Sequence, residues 1–294
     1  MSRVVFLGGG RITSAMLAGL RLAKKSIAKH DYRLLVHDRN PGKLRDLKKR
    51  YAVAVEADLN RAVKQADILI VAVRPSSIRE LLREIANLIP NATAKFSKRT
   101  TTKSKRRLSK RPLSSRAPLA ISVAAGVPLR VLSKLVGPPT NWARAMPSPV
   151  CRSGRGLTAL TFPKRLARSE RKRVYDLFAS FGEVVEIPES RFDAFTVTYS
   201  CSHGYHLLAS LADAAQAVGL DQHTALLASA HALADGIEAW RESNESLESL
   251  IEEAVTPGGI AAATIAAADA AGCKRAMRLG VAAGLRRARS NAGK

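Results

Sequence analysis

A glycine turn near the N-terminus has the clearest chemical use in this sequence. The pattern Gly8-x-Gly10-x-x-Thr13 follows a short apolar run and precedes residues with helical spacing. Glycines in such a turn let the backbone approach a pyrophosphate, and the next helix offers free N–H groups and a positive dipole. A tight turn without a ligand is the alternative. The pattern predicts that a dinucleotide contacts Leu7, Gly8, Gly9, Gly10, Arg11 and Ile12.

Three charged residues bear on which dinucleotide would bind. Asp38 ends the next predicted strand, where an acid accepts hydrogen bonds from a ribose hydroxyl. Arg39 follows it, and Arg11 follows the glycines, so either cation could hold a 2′-phosphate. Because two of the three favour a phosphate, we predict a preference for NADP, with NAD as the alternative.

Apolar runs and helical stretches alternate through the first half of the chain. Residues 4–7, 34–36, 52–55, 68–73 and 121–123 are predicted strands, and residues 41–49 and 76–89 are predicted helices. This alternation indicates a Rossmann-like, doubly wound and mainly parallel sheet. Ligands bind at the carboxyl ends of such strands. We therefore expect further cofactor contacts from Ala72, Val73, Arg74, Pro75, Ala124, Ala125 and Gly126.

The second half of the chain has a different pattern. After two more predicted strands, at 156–160 and 184–187, an Ala- and Leu-rich sequence with a period of 3.6 residues begins near residue 190. This predicts an all-helical domain rich in small residues, which we expect to form a dimer. The expected division is residues 1–189 for dinucleotide binding and 190–294 for dimerisation and substrate binding.

The charge balance is strongly basic. Lys and Arg number 48 against 24 acids, a formal net charge of +24. Residues 95–116 contain ten of these cations and residues 274–294 contain seven, with no acid in either segment. Both are expected to be solvated or disordered, and 95–116 to be a mobile insertion. Aromatics are only 5% of the chain and no nucleic-acid motif is recognisable, so we expect only weak electrostatic binding to nucleic acid.

The remaining composition favours a cytoplasmic protein without metal. No apolar stretch approaches the roughly 20 residues of a membrane helix. Cys151, Cys201 and Cys273 are odd in number and far apart, which argues against disulfides and a clustered metal site.

His203 and His206 lie beside Cys201 but lack a fourth zinc ligand. His203 is a candidate proton donor or polar substrate contact, or it has no chemical role. The other histidines are expected at the surface: His30, His37, His223 and His231.

Several segments, in order, resemble pyrroline-5-carboxylate reductases. They are residues 6–10, 69–75, 121–127, 144–149 leading to 156–159, 192–196 and 255–259. The resemblance implies a Rossmann-like domain, a helical dimerisation domain and a homodimer or higher homo-oligomer. It also implies NAD(P)H-dependent reduction of the cyclic imine 1-pyrroline-5-carboxylate to proline, in proline biosynthesis.

The same resemblance assigns further site residues. Met146 and Pro147 would contact the cofactor, and Pro257, Gly258 and Gly259 would bind the substrate carboxylate through backbone N–H groups. The active site would lie between the two domains, across a homodimer.

The sequence departs from the family pattern where a hydroxyl would face the imine. Ile260 and Ala261 replace two threonines, so Thr256 and Thr264 are the candidate catalytic hydroxyls. Two alternatives therefore stay open. One is a related NADP-dependent imine or enamine reductase with another substrate, and the other is a non-catalytic nucleotide-binding relic with polyanion affinity.

Overall fold

The computed structural model describes residues 2–26, 32–89 and 117–292. The predicted insertion at 95–116 and His30 lie outside these ranges. The first half contains four strands and four helices in strict alternation: β1 (Ser2–Leu7), α1 (Arg11–Ser26), β2 (Tyr32–His37), α2 (Pro41–Tyr51), β3 (Ala54–Glu56), α3 (Leu59–Lys64), β4 (Ile68–Val71) and α4 (Pro75–Leu88).

Four more strands follow, with helices between them. The elements are β5 (Leu119–Ser122), α5 (Leu129–Leu135), β6 (Asn141–Pro147), a 3₁₀ helix (Pro149–Ser153), β7 (Leu157–Thr161), α6 (Arg168–Ala179), β8 (Glu183–Glu186) and α7 (Glu189–Thr198). The rest is helical: α8 (Cys201–Ala217), α9 (Gln222–Glu242), α10 (Leu247–Ala254), α11 (Ile260–Ala270) and α12 (Cys273–Ser290).

The strands of the described chain form one sheet in the order β3-β2-β1-β4-β5-β6-β7-β8. All neighbouring strands are parallel except β6 and β7. The strand order reverses direction between β1 and β4, which is where open α/β sheets bind their ligands. The predicted doubly wound, mainly parallel sheet followed by helices is confirmed.

The sheet forms because its central strands are apolar on both faces. Val4 and Phe6 of β1 belong to one core layer together with Met16 of α1. Val5 and Leu7 point to the opposite layer, which contains Ile78 and Leu82 of α4. Burial of a continuous apolar run on both faces is typical of a parallel strand covered by helices. The sheet thus holds the carboxyl ends of β1 and β4 side by side.

The chain divides into two compact units at a different place from the predicted boundary. The first unit is Met1–Tyr199 together with Leu285–Lys294, and the second is Ser200–Gly284. Helix α7 groups with the sheet because its Phe192 is fully buried and its Asp193 accepts a hydrogen bond from Arg144 of β6. The end of α12 groups with the sheet because Ala288 lies against the turn after β5.

The second unit consists of helices with few buried residues. Its buried side chains are Ala212, Ala225 and Ser229, and α10 and α11 have none. Large apolar side chains are instead exposed along its helices: Tyr205, Leu207, Leu211, Val218, Leu220, Leu226, Leu227, Ile237, Trp240, Leu247, Ile251, Ile260, Ile265, Met277 and Leu279. An exposed apolar surface of this extent marks an interaction face.

The described part of the basic C-terminal stretch is helical and mostly exposed, so its cations are solvated, which is one of the two states expected of it. Its cations up to Arg289 lie on α12, a mostly exposed helix. Small residues on this helix allow its end to pack closely, and Ala288 is only 6% exposed.

Among the described residues, no helix is long and apolar enough to cross a membrane.

Candidate functional site

A cavity of about 400 Å³ lies at the carboxyl ends of β1, β2 and β4. It brings together eight of the predicted cofactor residues: Leu7, Gly8, Gly10, Asp38, Arg39, Ala72, Val73 and Arg74. This is the strand-order reversal described above, so the cavity occupies the position expected of a nucleotide site in a doubly wound sheet.

Gly8 makes the sharp turn out of β1. Its φ is +107°, and a Cβ there would lie 2.7 Å from the carbonyl oxygen of Ala72 on the neighbouring strand. Its N–H donates to His37 O at 2.8 Å. The hydroxyl of buried Thr13 donates back to Gly8 O at 2.5 Å. Only glycine fits this position, and these contacts fix the course of the turn.

Asp38 holds the second glycine of the turn. The Gly9 N–H donates to Asp38 Oδ2 at 2.7 Å, and the Asn40 N–H donates to Oδ1 at 2.8 Å. Both carboxylate oxygens of Asp38 therefore already accept backbone hydrogen bonds, which tie the glycine turn to the start of α2.

The space beside Gly10 is open. No atom lies within 4 Å of the position that a Cβ on Gly10 would occupy, and α1 starts at the next residue. The first N–H groups of a helix have no partner within the helix. Open space beside the backbone next to such donors is suited to a phosphate group.

Two cations border the cavity on the β2 side. Arg39 forms an ion pair with Glu80 at 3.0 Å, in which the side chains are 70% and 60% exposed. Lys43 Nζ lies 3.8 Å from Asp38 Oδ2. Exposed pairs of this kind contribute about 0–1 kcal/mol, so Arg39 can exchange its partner for another anion.

The remaining predicted cofactor residues do not line the cavity: Gly9, Arg11, Ile12, Pro75, Ala124, Ala125, Gly126, Met146 and Pro147. Most lie along the same edge of the sheet, because β4, β5 and β6 are parallel neighbours and these residues end or follow them. Four strand spacings of about 4.8 Å separate β2 from β6, so this edge is about 19 Å long. Such an edge suits an extended ligand.

The turn after β5 is fixed by the end of α12. Gly126 has a φ of +74°, and a Cβ there would collide with the carbonyl oxygen of Ala288. Asn291 Nδ2 donates to Ala125 O at 3.2 Å. Residues from the end of the described chain thus set the position of this turn.

His37 is a cavity residue that the sequence analysis placed wrongly at the surface. It is the last residue of β2, only 5% exposed, and its Nδ1 lies 3.0 Å from Glu56 O. The cavity is also lined by Lys43, Ala57, Leu59, Ser77, Leu81 and Glu84, none of which was predicted. The position of Lys43 beside the cavity could have been predicted, since this residue falls in the first turn of the helix that follows Asp38.

The candidate substrate residues lie in the second unit. Residues 256–259 form a turn in which the Gly259 N–H donates to Thr256 O at 2.9 Å, with Gly258 at a φ of +75°. Gly259 then caps α11 without a side-chain hydrogen bond. The N–H of Gly259 is thus used within the turn, and the free donors belong to the first residues of α11.

The two candidate hydroxyls differ in their surroundings. Thr264 Oγ1 donates to Ile260 O at 3.0 Å, one helical turn into α11. Thr256 lies exposed in the turn before α11. The hydrogen of the Thr264 hydroxyl is therefore directed along its own helix, whereas Thr256 has no such bond among the described contacts.

The histidine and cysteine candidates show no cluster. His203 is half-buried near the start of α8, where its backbone N–H donates to Ser200 O at 3.0 Å. Across the described ranges, no three His, Cys, Asp or Glu side chains are grouped so as to hold a metal ion. Burial raises the pKa of the Cys151 thiol to about 12, so it is protonated at neutral pH.

Two protein families match the chain in sequence order. The family described as NADP oxidoreductase, coenzyme F420-dependent, matches residues 3–93. The family described as pyrroline-5-carboxylate reductase dimerisation matches residues 189–291. The first range contains the cavity, and the second contains the helices of the second unit.

Full-length relatives and solved structures agree with this order. Proteins named pyrroline-5-carboxylate reductase from Mycobacterium tuberculosis H37Rv and Synechocystis are 27% and 26% identical, covering 96% of this chain and 94% and 95% of theirs. The Plasmodium falciparum pyrroline carboxylate reductase, solved with NADP bound, has a TM-score of 0.80 at 21% identity, covering 99% of this chain and 98% of that one. A Streptococcus pyogenes 1-pyrroline-5-carboxylate reductase has the same TM-score and identity, with 98% of both chains covered. This chain is therefore similar over nearly its whole length to proteins named pyrroline-5-carboxylate reductase, and its residues 189–291 match the dimerisation domain of that family.

Proposed function

We propose that this chain catalyses the NAD(P)H-dependent reduction of 1-pyrroline-5-carboxylate to proline. The observation that carries the proposal is the glycine turn, where Gly8 fits only without a side chain and Gly10 faces open space at the start of α1. This is a backbone cradle for the phosphates of a dinucleotide. The names of the relatives, which match over nearly the whole chain, support the choice of reaction.

The residues of the cavity fit a nicotinamide dinucleotide. Gly8, Gly10 and the first turn of α1 would hold its phosphates, while the turns after β4 and β5 would border the nicotinamide end. When bound, the reduced nicotinamide supplies a hydride. The protein supplies the position of the ring and the exclusion of water.

NADP is the favoured form of the cofactor. Each oxygen of Asp38 already accepts one backbone hydrogen bond, and Lys43 lies nearby, so only part of the acceptor capacity of this acid remains for a ribose hydroxyl. Arg39 borders the same cavity and is held only by an exposed ion pair with Glu80. A 2′-phosphate would gain a charge-assisted hydrogen bond from Arg39.

The turn of residues 256–259 and the start of α11 are suited to a substrate carboxylate. The turn leaves the first N–H groups of α11 without partners, and the helix dipole favours an anion there. Pro257, Gly258 and Gly259 would shape this approach. An imine nitrogen that is already protonated in solution needs little further acid catalysis, and Thr256 is the better placed of the two hydroxyls.

A homodimer is the proposed assembly. The second unit leaves α10 and α11 without a buried residue and exposes many large apolar side chains. A second copy of the same helices would cover this surface, because a symmetric dimer pairs like patches. The match to the family's dimerisation domain supports this assembly.

One feature at the start of α11 favours a different substrate. Ile260 stands first in α11 and is 89% exposed, and Ala261 follows it, where the family pattern has two threonines. Neither side chain offers a hydrogen bond. A bulkier or less polar cyclic imine is therefore the alternative substrate for the same reaction.

A panel of cyclic imines, each tested with NADPH and NADH, tests the proposal. We expect 1-pyrroline-5-carboxylate to have the highest kcat/KM, and we expect Ile260→Thr/Ala261→Thr to raise it. Better turnover of another imine by the parent, together with lower activity of the double variant, would favour the alternative substrate. Cofactor binding without reduction of any imine would favour the non-catalytic relic.

A further inference from the structure

A second cavity, of about 530 Å³, lies between α4 and α5 in the first unit. Its polar lining consists of four cationic side chains, Arg79 and Arg83 on α4 and Arg130 and Lys134 on α5, completed by Val131, Leu135 and Ala292. It shares no lining residue with the cavity at the ends of β1, β2 and β4. We call it the basic cleft.

Helical spacing places these charges together. Arg79 and Arg83 are four residues apart, as are Arg130 and Lys134, so each pair lies on one face of its helix. The acids of α4 do not line the basic cleft, since Glu80 pairs with Arg39 and Glu84 lines the other cavity. The two acids of α4 thus border one cavity and its two arginines the other.

Among the described residues, no acidic side chain compensates the basic cleft. Its lining contains no Asp or Glu, and residues 85–169 and 270–294 of the sequence contain none. Arg79 Nη2 donates to Ala292 O at 2.8 Å. Within the described ranges, the other three cations have no hydrogen-bond or ion-pair partner. Some surface cations of the chain do have acidic partners, as Arg171 and Lys172 show.

Four cations that converge on one concavity repel each other, and an anion between them relieves this repulsion. Arginine forks bind phosphate oxygens in a bidentate manner. The cluster covers two turns of α4 and the seven-residue helix α5, an extent that suits a compact anion rather than a long polymer backbone. We propose that the basic cleft is a binding site for a compact oligophosphate.

Protection of Lys134 from acetylation gives a local test on the full chain. The probe is tripolyphosphate, and the labelling rate of each lysine is measured by peptide mass spectrometry. We expect saturating tripolyphosphate to slow labelling of Lys134 at least fivefold and to leave Lys49, exposed on α2, unchanged. Equal slowing of both lysines, or no slowing of Lys134, would overturn the proposal.

Matched double variants give a second, independent readout. Arg83→Gln/Arg130→Gln removes two charges from the cleft, and Arg45→Gln/Lys49→Gln removes two from α2. The tripolyphosphate concentration that halves Lys134 labelling should rise at least tenfold in the first variant and less than twofold in the second. Equal rises would mean a general charge effect and would reject the site.

Protection of Lys134 by a single-stranded oligonucleotide at lower phosphate concentration than tripolyphosphate would also reject the proposal, in favour of nucleic acid. The footprint on the parent protein remains decisive if a variant fails to fold.

Discussion

Gly126 and Ala288 are in direct backbone contact, although 162 positions separate them in the sequence, and residue 126 has no space for a side chain. A methyl group in Gly126→Ala would meet the Ala288 carbonyl and force the end of α12 away from the turn after β5. The positive φ of +74° adds strain. We expect a loss of about 3 kcal/mol or more in the free energy of unfolding, from the left-handed backbone and overpacking together. Urea unfolding measures it.

Gly154→Ala is the matched control. Gly154 has nearly the same φ, +73°, but nothing lies within 4 Å of the position of its Cβ. Its substitution should cost only the backbone strain, about 1–2 kcal/mol. Equal losses in the two variants would mean that the contact with Ala288 contributes nothing.

Arg144 makes a second set of long-range contacts on which the stability of the fold depends. Its guanidinium is 1% exposed, lies 4.2 Å from the centre of the Phe192 ring, and donates to Glu189 at 2.9 Å and to Asp193 at 3.1 Å. Arg144→Met would leave two partly buried carboxylates without their cationic partner, with Glu189 keeping only the hydrogen bond from the Leu129 N–H, and should cost about 3–5 kcal/mol.

Arg171→Met tests whether this loss is specific to burial. Arg171 also pairs with a glutamate, Glu186, at 3.1 Å, but the two side chains are 31% and 52% exposed. Its guanidinium also donates to the backbone oxygens of Leu166, Pro163 and Lys164. We therefore expect its removal to cost about 1–2 kcal/mol in the same unfolding experiment, less than the removal of Arg144. A similar loss for both arginines would contradict the role given to Arg144.

Contacts such as these explain what the sequence could and could not reveal. The strands β1 and β4 are readable because their apolar runs are buried on both faces, a local property. Strand β6 was not predicted as a strand, since Arg144 interrupts its apolar pattern. Its burial depends on Glu189 and Asp193, which lie 45 and 49 residues further along the chain.

In the candidate site, too, local features could be predicted from the sequence and long-range ones could not. The glycine turn was readable because its spacing and flanks are local. The burial of His37 was not, because it depends on β3 pairing with β2 and presenting Glu56 O to the ring. The short helices α3 and α5, of six and seven residues, are also too brief for periodicity to predict.

Gly10→Ala separates cofactor binding from folding. Its Cβ would enter open space, so we expect the melting temperature to change by less than about 2 °C. The same methyl group would occupy the space proposed for a phosphate, so NADPH binding should weaken at least tenfold, about 1.4 kcal/mol. Intrinsic protein fluorescence titration measures the affinity. Unchanged affinity would contradict the proposed cradle.

Gly8→Ala is the contrasting variant for the same turn. Its methyl group would lie 2.7 Å from Ala72 O at a φ of +107°, so we expect it to lower the melting temperature as well as the affinity.

Arg39 and Glu80 test the preference for NADP. Arg39→Ala should weaken NADPH binding about fivefold, about 1 kcal/mol, and leave NADH binding unchanged, because only NADPH carries the 2′-phosphate. Glu80→Gln removes the competing partner of Arg39, 3.0 Å away, and should tighten NADPH binding about twofold to fivefold. Equal effects on NADPH and NADH in either variant would reject the assignment.

Cys151 and Cys273 should differ sharply in reactivity. Cys151 is 2% exposed and burial raises its pKa to about 12, whereas Cys273 is exposed. Since the thiolate is the reactive form, iodoacetamide at pH 8 should label Cys273 and leave Cys151 unmodified until urea unfolds the chain. In the unfolded chain the Cys151 thiol has its ordinary pKa of 9.0, whereas in the folded chain the thiol keeps its proton above this pH. The contribution of Cys151 to stability is therefore present below pH 9 and declines as the pH rises toward 12. Cys151→Ala should flatten this alkaline decline in urea unfolding, and labelling of Cys151 in the folded protein as fast as Cys273 would contradict its burial.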